Sequence, residues 1–197
     1  MPDCYDDCHA APLLCAGLIG FRAWRLAAEA SPRRLGLYGF GAAAHIICQI
    51  AVSQNQEVYA FTHKGDVAGQ GFARSLGASW ASGSDEAPPL PLDAALIFAP
   101  VGALVPVALA ATRKGGTVVC AGIHMSTIPA FEYRLLWGER VLRSVANLTR
   151  QDGDAFFRLM DDFPVKTHVQ TFALQDANAA VQALRNGTVN GAAVLVP

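Results

Sequence analysis

The residues most suited to chemistry are Gly39-Phe40-Gly41-Ala42-Ala43-Ala44, a glycine-rich turn between an apolar strand and an apolar helix. Arg34–Tyr38 reads as a short buried strand, and residues 42–52 as a helix with Ile46, Ile47, Ile50 and Ala51 on one buried face. In that setting Gly39 permits a tight turn, and Gly41 leaves no Cβ where backbone must approach a ligand. Ala44 is small enough for the helix to lie close to the strand. The free N–H groups at the helix start, from Ala42 onward, then face an anion, and the spacing suits a pyrophosphate. A glycine turn between a strand and a helix can also be a packing device, so the elements around it must carry the reading.

Those elements alternate. After the turn, Glu57–Thr62 is predicted as a strand, 66–76 as a helix closed by Gly77, 78–81 as a short strand and 82–91 as a proline-rich surface loop. A strand over 92–99, a helix over 104–113, strands over 116–123 and 140–148 and a helix over 152–162 complete the series. Strands alternating with helices imply a doubly wound parallel α/β sheet, with ligands at the carboxyl ends of the strands. Two pieces stand apart from this unit over 31–168: a lead-in over 1–30 containing a helix-like run over 13–30, and a strand, helix and strand over 169–197.

Composition restricts what such a unit does. Of 197 residues, 52% are apolar and 16% charged, the latter below the usual quarter, so the chain buries much of itself or has a covered surface. A net charge of −1 with no basic run offers no footprint for nucleic acid or an anionic membrane. Residues 94–112 carry no charge, yet Pro100, Gly102 and Pro106 break them into a strand, a turn and a helix start rather than a membrane span. The acidic amino terminus is unlike a signal peptide, and five cysteines among apolar neighbours suit a reducing compartment, so a cytoplasmic protein is expected. Cys4, Cys8, His9 and Cys15 lack the paired spacing of a self-contained zinc site.

Ala11-Pro12-Leu13-Leu14-Cys15-Ala16-Gly17, placed before the glycine turn, is followed in order by four further motifs: Leu76-Gly77-Ala78, Lys114-Gly115-Gly116-Thr117-Val118-Val119, Thr149-Arg150-Gln151-Asp152 and Gly191-Ala192-Ala193-Val194-Leu195. This series resembles the zinc-dependent alcohol dehydrogenases of the medium-chain dehydrogenase/reductase superfamily, over their carboxyl-terminal half or so. The resemblance implies a six-stranded Rossmann-type sheet in the order 3-2-1-4-5-6, hydride transfer between an alcohol or aldehyde and a nicotinamide coenzyme, and self-association. It implies Cys15 as one thiolate ligand of a zinc ion in the intact enzyme, and little activity from this portion alone. For the coenzyme it implies contacts from Gly39, Phe40, Gly41, Ala42 and Ala44 at the turn, Ala99 after the fourth strand, Ile123 and His124 after the fifth, and Arg150. At the end of the second strand, where a carboxylate would accept the ribose hydroxyls of NAD, stand Thr62, His63 and Lys64. These suit a 2′-phosphate, and NADP is expected, with NAD as the alternative. Ala192 stands where many family members have arginine, which removes a phosphate contact. A zinc-free quinone or enoyl reductase and a non-catalytic nucleotide-binding module are the rival readings.

Overall fold

The computed structural model describes residues 4–29 and 32–197. Met1, Pro2 and Asp3 of the acidic terminus, and Ala30 at the end of the first expected helix, lie outside the described residues. A short helix α1 (Asp7–Ala10) and a 3-10 turn (Ala11–Leu14) lead into α2 (Ala16–Ala28). Then follow β1 (Arg34–Tyr38), α3 (Ala42–Ser53), β2 (Glu57–Thr62), α4 (Val67–Ser75), β3 (Trp80–Gly83) and β4 (Leu92–Ile97). After them come α5 (Leu104–Ala111), β5 (Thr112–Cys120), β6 (Val141–Ser144) and α6 (Arg150–Asp162), and finally β7 (Val169–Ala173), α7 (Ala177–Arg185) and β8 (Ala192–Val196). Strands β1 to β6 form one parallel sheet in the order β3-β2-β1-β4-β5-β6, as expected; β7 and β8 pair in parallel as a separate two-stranded sheet.

Both faces of the large sheet are covered, and the period of two along each strand decides which residue goes where. Leu35 and Leu37 of β1, Val58 and Ala60 of β2 and Leu96 of β4 join the core beneath α2, α3 and α6. Their neighbours Tyr38, Tyr59, Phe61 and Ile97 pack on the opposite face with Val105, Ala108 and Leu109 of α5. The uncharged stretch 94–112 thus becomes strand, turn and helix within the fold. The apolar helical run Asp7–Ala28 is long enough by composition to cross a membrane, yet half of it is buried here.

Several boundaries move for local reasons. Gly77, at φ +98°, turns the chain after α4, and the Ala78 and Ser79 amides bond back to Ala73 and Val58; β3 therefore starts at Trp80 rather than 78. Helix α5 stops at Ala111 because Thr112 is extended, its hydroxyl donating to the Ala108 carbonyl at 2.7 Å, and β5 begins there. The strand expected over 140–148 pairs only from Val141 to Ser144. The lead-in differs most: α2 does not stand apart but buries Leu18, Phe21, Ala23, Leu26 and Ala27 in the main core. Gly17 and Gly20 let it approach closely, since a Cβ there would lie 2.8 Å from Phe156 and 2.7 Å from Ile47.

Candidate functional site

The parallel sheet brings the carboxyl ends of β1, β2, β4 and β5 to one edge, and β1, where the order reverses, carries the glycine turn. The Gly39 amide donates to the Phe61 carbonyl at 2.9 Å, while the Phe98 and Ala99 amides donate to the Tyr38 carbonyl, so the turn is tied to both neighbouring strands. Gly39 has φ +87°, and a Cβ would sit 2.7 Å from the Ala99 nitrogen; this glycine is demanded by the protein itself. Gly41 is the opposite case, exposed, with nothing but its own chain neighbours within 4 Å of where its Cβ would be. It begins α3 without any side-chain cap, so the amides of Ala42, Ala43 and Ala44 point to whatever occupies that open space. The fully buried Ala44 seats the helix on the sheet, and Phe40 packs edge-on against Phe72 of α4, 5.9 Å between centroids.

The other expected residues take different positions. Thr62 is buried and its hydroxyl is already engaged, donating to the His63 carbonyl at 3.1 Å and accepting from Gln70 Nε2 at 3.3 Å. His63 and Lys64 are exposed beyond it, and Lys64 Nζ lies 3.0 Å from Asp85 Oδ2 in the turn after β3. The ion pair raises the Lys64 pKa and lowers that of Asp85, in both through their mutual hydrogen bond above all. Ala99 is half-buried against Gly39; Ile123, 89% exposed, and His124 project from the segment after β5. Arg150 is the exposed first residue of α6.

Cys15 lies at the break between the 3-10 turn and α2, exposed rather than packed in a helix. It borders a cleft of about 350 Å³ between Pro12, Ala16 and β8. Among the described residues no three His, Cys, Asp or Glu side chains come together as a metal site. One thiolate does not hold zinc, which takes three protein ligands in a catalytic centre. A larger cleft of about 850 Å³ lies by Arg113, Trp137 and Arg140, away from the glycine turn. Its arginines are held by the Asp93 carboxylate and the Thr112 and Trp137 carbonyls.

Two residues of the site's framework carry signals that the motifs alone do not reveal. Asp152, fully buried, accepts from Arg25 at 2.8 Å and Arg22 at 3.4 Å and forms a capping box with Thr149. Burial opposes its ionisation, but the Thr149 hydrogen bonds and the two guanidinium groups outweigh it and lower the pKa. His45, fully buried, follows the turn on the inward face of α3, and burial pulls its pKa down to about 4. In each case the sequence signal is a polar residue at a position whose helical neighbours are apolar.

Fold and sheet order together define a Rossmann-type α/β unit. No family model matches the chain. A probable alcohol dehydrogenase of Mycobacterium tuberculosis, AdhA, is 44% identical over 202 residues, covering all of this chain and 56% of the relative. The acetophenone reductase of Geotrichum candidum, solved in complex with NAD, superposes with a TM-score of 0.87 at 23% identity, over 100% of this chain and 57% of that one. The YhdH protein of E. coli K-12, solved with bound NADPH, gives 0.81 at 21% identity, over 99% and 65%. Over its whole length the chain is thus similar to proteins named alcohol dehydrogenase, and its fold is that of the solved reductases. It spans about half the length of the curated relatives it matches.

Proposed function

We propose that the chain binds a nicotinamide coenzyme as the coenzyme-holding part of an alcohol dehydrogenase. The observation that carries the reading is the uncapped start of α3 at the switch point of the sheet, where Gly41 faces open space. A pyrophosphate there would accept hydrogen bonds from the α3 amides, with the adenosine lying toward β2 and the nicotinamide toward Ala99, Ile123 and His124. In the intact enzyme the bound coenzyme would supply hydride exchange with an alcohol or aldehyde, oxidation of the alcohol releasing one proton. Cys15 would offer one thiolate to a zinc ion only together with ligands from outside this chain. Zinc analysis of a longer polypeptide and its Cys15→Ser variant would check that. Cytoplasmic residence and self-association belong to the same reading. Five free cysteines support the first, and the exposed Val141 on edge strand β6 supports the second.

NADP(H) is the coenzyme we favour, since no carboxylate ends β2 and Lys64 and His63 stand exposed just beyond it. Asp85 works against it, because a 2′-phosphate must draw Lys64 away from that carboxylate. Calorimetry on the chain is expected to give tighter binding of NADPH than of NADH, with little alcohol turnover. Lys64→Ala should weaken NADPH several-fold and spare NADH, and Asp85→Asn should strengthen NADPH. No heat with either coenzyme at millimolar concentration would defeat the proposal, and a wild-type preference for NADH that Lys64→Ala leaves unchanged would defeat the choice of coenzyme.

A further inference from the structure

His45 links the glycine turn to the small sheet through both of its ring nitrogens. Nδ1 lies 3.3 Å from the Gly41 carbonyl oxygen, and the His168 backbone amide donates to Nε2 at 3.2 Å. A backbone N–H only donates, so Nε2 is the bare nitrogen and Nδ1 carries the hydrogen, which it gives to Gly41. The bridge continues beyond His168, whose carbonyl accepts from the Ala192 amide at 2.9 Å, at the first residue of β8. Gly191 makes that approach possible: at φ +87°, a Cβ there would lie 2.1 Å from the His168 oxygen. One turn along α3, Gln49 donates to the Lys166 carbonyl and accepts from the Lys166 amide, both at 2.9 Å. Phe72 lies edge-on to His168, 4.8 Å between centroids, and also touches Phe40 of the turn. The helix that begins at the glycine turn therefore grips the segment leading into β7 by both a polar and an aromatic route. Burial keeps the ring neutral near neutral pH, the form in which one nitrogen donates and the other accepts.

We propose that His45 is a positioning residue that sets the Gly41 carbonyl, and with it the coenzyme turn, while coupling that turn to the β7–β8 sheet through the His168 amide. The proposal rests on the coenzyme reading above. Asparagine and glutamine separate its two halves, because the Asn amide reaches roughly the place of Nδ1 and the Gln amide that of Nε2. The 197-residue chain and its His45→Asn and His45→Gln variants would be compared by calorimetry with NADPH and NADH and by amide hydrogen exchange at His168, with thermal melts to establish folding. In the parent chain, coenzyme should slow exchange at His168. His45→Asn should bind coenzyme within about twofold of the parent, yet exchange roughly tenfold faster at His168 and lose the response to coenzyme. His45→Gln should keep His168 protected and bind coenzyme about tenfold more weakly. Equal loss of binding in both folded variants, or exchange at His168 indifferent to coenzyme in the parent, would overturn the coupling. A parent chain that binds neither coenzyme defeats the proposed function instead; protection at His168 unchanged in coenzyme-free His45→Asn would then still overturn the bridge.

Discussion

Gly39 and Gly41 lie two residues apart and are glycine for different reasons. At Gly39 a methyl group meets the Ala99 backbone at 2.7 Å and φ is +87°, so Gly39→Ala is expected to cost roughly 2 kcal/mol or more in urea unfolding. At Gly41 the methyl meets nothing and φ is −115°, which alanine adopts. Gly41→Ala should leave stability unchanged or slightly raised, while calorimetry shows at least about a tenfold loss of coenzyme affinity. The turn was legible in the sequence because strand, glycines and helix adjoin in the chain. Lys64's partner was not: Asp85 comes from beyond β3, and only the parallel pairing of β2 with β3 brings the two turns together. Thr62 illustrates the same limit, since strand alternation says which side a hydroxyl takes but not that Gln70 and the His63 carbonyl already satisfy it.

Among the elements, α6 depends most on charge. Its capping box closes on Asp152, which also receives Arg22 and Arg25 from α2. Asp152→Ala removes the cap and leaves two partly buried guanidinium groups unpaired, a loss of about 2 to 4 kcal/mol in urea unfolding. Acid should weaken the fold in two stages. The His45 pKa falls from 6.5 to about 4 on folding, so the unfolded chain takes up its proton first. The stability associated with the neutral ring is complete above pH 6.5 and is lost as the pH drops toward 4, about 3 kcal/mol in all. Asp152, whose pKa is lowered from 3.8, adds stability that disappears only below that value. Urea titrations at pH 7 and pH 4.5 should show the first loss, and His45→Gln should abolish it. Helix α6 itself was visible in Asp152-started periodicity, whereas its tie to α2 was not, since neither segment names its partner.

At the scale of the whole molecule the alternation of strands and helices implies a parallel doubly wound sheet, and the strand order implied by the family resemblance is the observed one. Strands β7 and β8 were equally readable, as was the helix between them. For the lead-in, an apolar face shows that a helix is buried without saying against what, and α2 packs into the main core. Deleting residues 1–29 should therefore uncover the Ile47 and Phe156 surfaces that α2 covers and yield a chain that binds a hydrophobic dye and loses dispersed methyl signals in NMR spectra. A deletion variant with native spectra would show α2 to be dispensable.

The Arg25–Asp152 link also spans 127 residues of chain. During synthesis at about 5 to 20 residues per second, α2 emerges on the order of ten seconds before the aspartate that anchors it. Helix α2 thus spends that interval without its final neighbours, and the nascent protein needs either rapid provisional docking of α2 on α3 or a chaperone's shelter until α6 leaves the ribosome.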